Sequence, residues 1–111
     1  MRAGHSREEV SSANGAGALV ADGTGHFRLS GAVILPTVTL LRATGLRAFA
    51  ASAGDIVVDL SPISRVDSAG LALLIDWLAW ARAVGRELRF VAPPAALLAL
   101  ARLSEVEALL V

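Results

Sequence analysis

Asp67-Ser68-Ala69-Gly70 is where chemistry-bearing residues crowd most closely in this chain. A hydroxyl stands between an acid and two small residues, just before a long apolar run. At a helix N-terminus such a turn can hold or carry a phosphate, because free first-turn N–H groups and the helix dipole favour negative charge. Ser68 is therefore a candidate regulatory or phosphorylation site. It is equally a candidate N-cap, with its oxygen accepting a first-turn N–H while Gly70 lets the backbone turn closely. A phosphoserine here would gain from the helix dipole and lose from the neighbouring Asp67 and a nearby Asp59. It would change the surface offered to a partner rather than unfold the domain. Nucleophilic catalysis would need a base, and the local sequence places no His near Ser68.

The rest of the composition narrows the chemistry further. The chain has 111 residues, formal net charge zero and no Cys. That length is one domain, and an apolar share of 55% is enough for a core. Charge balance leaves no basic footprint for nucleic acid. Every basic residue other than His is Arg; Lys is absent. A P-loop lysine, a Schiff base, a thiol nucleophile and a thiolate metal site are all excluded. His5 and His26 are isolated, too few for a metal site. No catalytic residue, cofactor or metal is expected. No segment reaches the roughly 18 apolar residues of a membrane span. The N-terminus lacks the apolar core of a secretory signal. The expectation is a cytoplasmic protein with no direct membrane insertion.

The elements that must position the Ser68 turn follow from pattern. Residues 1–17 are polar and aperiodic, and read as a disordered tail ahead of a domain over 18–111. Ala18 to Ala21 and His26 to Leu29 form a hairpin around Asp22-Gly23-Thr24-Gly25. Pro36 suits the first turn of a helix running to about Ser52, with Gly45 weakening it. Ile56 to Leu60 reads as a buried strand ending near Asp59, a turn residue. Gly70 to Val84 is the clearest helix, closed by Gly85. Glu87 to Val91 alternates as a half-buried strand, and Pro93-Pro94 starts a helix to about Leu103. A short helical or irregular stretch ends the chain. Strands alternating with helices predict a mixed or parallel sheet under packed helices.

The helix after Gly70 carries more apolar surface than one contact explains. At 100° per residue, Leu71, Leu74, Ile75, Leu78 and Ala81 form one arc. Leu73, Trp77, Trp80 and Val84 form a second. Together they cover about 220°, where a surface helix buries little more than 100°. Either another helix of the same domain covers the second arc, or a partner does, Trp being a favoured interface anchor.

The run Asp59-Leu60-Ser61, then Val66-Asp67-Ser68-Ala69-Gly70, Leu71-Ala72-Leu73-Leu74, Gly85 to Val91 and Pro93 to Leu110 resembles the STAS domain family. The likeness covers about His26 to Leu110 and is densest between Asp55 and Leu103. Ser64 to Ser68, the Leu71 to Leu74 run and Leu100 to Leu103 are most similar to the MlaB type, the cytoplasmic STAS subunit of the bacterial phospholipid ABC transporter. The resemblance implies an α/β fold, a four-stranded mixed sheet packed with three to four α-helices, and no catalysis. It implies an accessory subunit that binds the transporter ATPase and through it the permease, peripheral to the inner membrane. Asp67, Ser68, Ala69, Leu73, Trp77 and Trp80 would form the partner surface. The competing role within the family is an anti-sigma factor antagonist, switched when a kinase phosphorylates Ser68. Two departures stand out: Gly31 to Pro36 is unusually apolar, and Ala69 leaves Ser68 as the only hydroxyl of the turn.

Overall fold

The computed structural model describes residues 17–110. The expected tail, apart from Gly17, lies outside the described residues. Strands β1 (Ala18–Ala21) and β2 (His26–Val33) form the hairpin, antiparallel, with Ala18 opposite Ser30 and Ala21 opposite Phe27. Helix α1 (Leu35–Ala51) follows, with Pro36 in its first turn, where no N–H is missed. Then come β3 (Ile56–Asp59), β4 (Ile63–Val66), α2 (Ser68–Ala83), β5 (Leu88–Val91) and α3 (Ala95–Leu103). A 3₁₀ turn, Glu107–Leu109, precedes the buried Leu110.

The sheet is mixed and has five strands rather than four. β2, β3 and β5 are parallel, in the order β1-β2-β3-β5. The extra strand is β4, whose sequence Ile-Ser-Arg-Val follows Pro62 and holds only two apolar residues. Nothing in so short a run signals a strand; its partner supplies the reason. β2 is long enough to pair with β3 through His26–Arg28 and with β4 through Gly31–Val33. A register shift between Gly31 and Ala32 separates the two halves.

Alternation along the strands sets the layers. Phe27, Leu29, Ile56, Val58, Leu88 and Phe90 are buried, while Arg28, Val57, Asp59 and Arg89 between them remain at least partly exposed. The helices therefore cover one face and leave the other open. Three α-helices of the described residues do this, with α1 and α2 packed side by side.

That pairing accounts for the second apolar arc of α2. Leu73 and Trp77 are buried, and Trp80 is half-buried. Trp77 lies edge-on to Phe49 of α1, 5.1 Å between centroids, and its indole rests on the backbone of Gly45. Phe49 also meets Phe27 at 5.1 Å and Trp80 at 5.9 Å. Of the two readings of the arc, intramolecular cover holds for Leu73 and Trp77. Trp77, fully buried, cannot touch a partner directly, which corrects its assignment to a contact surface; Leu73 keeps 3% exposure. The Trp77 indole N–H is buried without an acceptor. Such a donor costs about 1–3 kcal/mol. Truncating a buried Trp costs about 3–5 kcal/mol, so packing outweighs the missing bond.

Arg86 closes the far end of the same interface. It donates to Phe49 O at 2.7 Å, Ser52 Oγ at 3.0 Å and Gly54 O at 2.9 Å, and lies 5.7 Å from the Trp80 ring centroid. Phe49 O, in the last turn of α1, also accepts from Ser52 N–H at 3.1 Å, and Gly54 O lies in the turn beyond the helix, so Arg86 ties α2's end to both.

Gly45 gives a test of sign. Helix propensity alone predicts that Gly45→Ala gains up to about 1 kcal/mol. A Cβ at this position would overlap the Trp77 ring. We expect a net loss of about 1–3 kcal/mol, the usual cost of overpacking, read from urea unfolding. A stabilised variant would mean that Trp77 does not rest on Gly45.

Candidate functional site

The carboxyl ends of the parallel strands gather the N-termini of the helices at one end of the sheet. Here the structure reassigns the cap. Asp67, not Ser68, is the N-cap of α2, with extended backbone and Oδ1 accepting from Gly70 N–H at 3.0 Å. Its other oxygen, Oδ2, accepts from Leu35 N–H at 3.0 Å, at the start of α1. One carboxylate thus serves two helix N-termini. Ser68 is the first residue of α2, with its side chain exposed and making no hydrogen bond to the described residues.

Electrostatics agrees with this geometry. The Leu35 N–H holds the Asp67 carboxyl below its ordinary value of 3.8, helped by Gly70 and Ala69, against a smaller opposing effect of burial. Two helix dipoles add to the same preference for the anion. Gly70 is required by contact: a Cβ would overlap the carbonyl of Val33, and Asp67 N–H itself reaches Val33 O at 3.4 Å. The start of α2 is pressed against the end of β2.

Asp59 belongs elsewhere. Its Oδ1 accepts from Ser61 N–H at 2.9 Å, and its Oδ2 lies 3.8 Å from Arg28 Nε on the open side of the sheet. Ser61 first, then Arg28, hold its carboxyl below the ordinary range. No hydrogen bond or ion pair joins it to Asp67 or Ser68. His26 opens β2, whereas Val33 beside Asp67 ends it, about 23 Å of strand away. Among the described residues, Ser68 has no imidazole within reach.

The sequence reading missed what α1 contributes. Leu35 stands beside Asp67 and is 69% exposed. One turn on, Thr39, Arg42 and Ala43 face Ala69, Ala72 and Asp76 of α2. Arg42 Nε donates to Asp76 Oδ2 at 3.0 Å. The signal was the unusually apolar run ending at Pro36, which places Leu35 at a helix start. Of the residues expected at a contact surface, Ser68 is exposed, Asp67 and Ala69 are half-buried, and of the two Trp residues only Trp80 keeps some exposure.

A family model described as the MlaB-type STAS domain matches residues 19–111. The chain belongs to the STAS domain family. Its fold is similar to that of the anti-sigma factor antagonist SpoIIAA in its unphosphorylated form, with a TM-score of 0.66, 18% identity and 86% of each chain covered. It is also similar to part of the murine Solute Carrier 26 family member A9 anion transporter in the inward-facing state. That match has a TM-score of 0.57 and 13% identity, and covers 79% of this chain but 14% of the transporter. No curated protein sequence matches. The STAS fold expected from the sequence is the one observed, with β4 added.

Asp67 supplies the test for this site. Asp67→Asn keeps an acceptor for the α2 cap, while its single oxygen cannot serve Leu35 as well. Asp67→Ala removes both bonds and is expected to cost about 1–2 kcal/mol at neutral pH, Asp67→Asn less. Because the folded carboxyl titrates below 3.8, its contribution is present above that value and is lost as pH falls through the lower, folded one. The gap in thermal midpoint between wild type and Asp67→Ala therefore closes on acidification. A gap independent of pH would mean that the carboxylate charge plays no part.

Proposed function

We propose that this chain is a non-enzymatic accessory and regulatory subunit of a phospholipid-transport ABC system. It binds the ATPase subunit at the Ser68 turn and supports its assembly and activity. The observation that carries this reading is the MlaB-type family match over residues 19–111. The geometry supports it: Ser68 is exposed and unbonded, on a turn held rigid by Asp67, next to exposed Leu35. A preorganised surface of this kind loses little freedom on binding. Hydrolysis of ATP would belong to the partner. No helix of the described residues is long and apolar enough to cross a membrane. We place the protein in the cytoplasm, at the inner membrane through the ATPase and its permease.

The exposed hydroxyl of Ser68 also favours a second reading, an anti-sigma factor antagonist switched by a kinase. One feature weighs against it. The N–H groups of Leu35 and Gly70, two donors that a phosphate would use, are already bonded to the Asp67 carboxylate. A phosphate on Ser68 would stand as an exposed dianion beside that carboxylate, without those donors.

Affinity purification of the tagged chain from its own cells separates the two. Recovery of an ABC ATPase together with its permease is the expected result. Ser68→Asp, which places a second charge beside Asp67, should then weaken ATPase binding at least tenfold. Recovery of a histidine-kinase-like anti-sigma factor, with phosphate on Ser68, would replace the first reading with the second.

A further inference from the structure

β5 is an edge strand of the sheet, and its ladder to β3 shows which backbone groups are left over. Ile56 N–H donates to Glu87 O at 2.8 Å, and Leu60 N–H donates to Val91 O at 2.9 Å. From Glu87 to Val91 the odd-numbered residues therefore face β3, and the even-numbered ones face away. The N–H and C=O groups of Leu88 and Phe90 point off the edge, without a partner among the described residues. Such a row is a template for another strand. Only a strand presents C=O and N–H groups at that two-residue spacing.

The side chains along this edge say which strand fits. Leu88 and Phe90 turn into the core, so Glu87 and Arg89 stand on the opposite, open side, and both are exposed. Neither makes an ion pair with the described residues. Two copies of β5 running antiparallel about a two-fold axis at Leu88 set Leu88 against Leu88, each N–H donating to the other copy's C=O. The flanking pairs are then Glu87 against Arg89 and Arg89 against Glu87. These are the non-hydrogen-bonded pairs, in which side chains come closest. An axis at Arg89 would instead set two Arg89 side chains against each other, a like-charge pair. The edge is thus complementary to itself in one register. The sheet's other edge, β1, reads Ala-Leu-Val-Ala and has no charge to choose a register.

On the helix side, an open groove of about 660 Å³ adjoins the same stretch, between α2, Leu88 and the 3₁₀ turn. Its apolar walls include Ile75, Leu78 and Leu109, the last 45% exposed. We infer that the β5 edge seats a second copy of this chain. The two sheets join into one, with the Glu87–Arg89 pairs on the open side and the paired Leu88 residues beside the two grooves. This contact leaves Ser68 free: Leu78, on the groove, lies ten residues further along α2, about 15 Å away. The dimer therefore goes beyond the transporter reading and does not depend on it.

Sedimentation equilibrium of the purified full chain tests this. We expect the wild type to dimerise. Arg89→Glu leaves two acids on the open side of each copy, and Glu87→Arg leaves two cations. Each variant alone should dimerise roughly tenfold more weakly or worse. Mixed in equal amounts, the two should form a heterodimer, because every acid again meets an arginine. The double variant Glu87→Arg plus Arg89→Glu should regain the wild-type affinity. Both positions are exposed, so the far-UV circular dichroism of each variant should match wild type, which separates lost pairing from lost folding. Ser68→Asp should leave the dimer unchanged. A wild type that stays monomeric at millimolar concentration, a dimer insensitive to both charge reversals, or a mixture that fails to pair would each overturn the inference. None of these outcomes bears on ATPase binding at the Ser68 turn.

Discussion

The Asp67 carboxylate is the constraint on which the site depends. Each helix start carries N–H groups without intrahelical partners, and two such starts meet at the end of β2. Asp67 supplies one oxygen to each, and the Leu35 N–H first, with Gly70, holds its carboxyl below the ordinary value. An acid that sequence reading would offer as a neighbour of a phosphoserine is in fact a structural anion. Because it takes the nearby donors, Ser68 is free to face outward.

The rest of the α1–α2 interface extends the same principle from one end to the other. Asp67 ties the N-termini. Arg42 and Asp76 pair across the exposed middle, a contact worth little by itself at such exposure. Gly45 lets Trp77 lie against the α1 backbone, and Arg86 binds the far end of α1. The strength lies in the buried aromatic cluster of Phe27, Phe49 and Trp77; the polar ties set where along each other the two helices stop. That register brings Thr39 and Ala43 opposite Ala69 and Ala72, beside the Ser68 turn.

Much of the fold was legible because periodicity reports burial. The α2 pattern, the Ile56 strand and the Pro-initiated helices all appear in the sequence close to their observed bounds. β4 did not, because Ile-Ser-Arg-Val has no pattern of its own and forms only where the second half of β2 offers a free edge. The capping role went to Asp67 instead of Ser68 for a related reason. Either residue can cap a helix, and the choice turned on Leu35, 32 positions earlier in the chain.

Sequence by itself determined the family, the element order apart from β4, and the position of the Ser68 turn, since these rest on local residue types and spacing. It also excluded thiol, Schiff-base and P-loop chemistry, since those need residues the chain lacks. Tertiary structure decided which apolar arc faces inward and which surface stays open. Leu73 and Trp77 carry the same hydrophobicity whether their cover is α1 or another protein, and only the packing of α1 on α2 tells them apart. Leu35 and Leu40 are equally apolar by sequence, and it is the docking of α1 that leaves both in solvent.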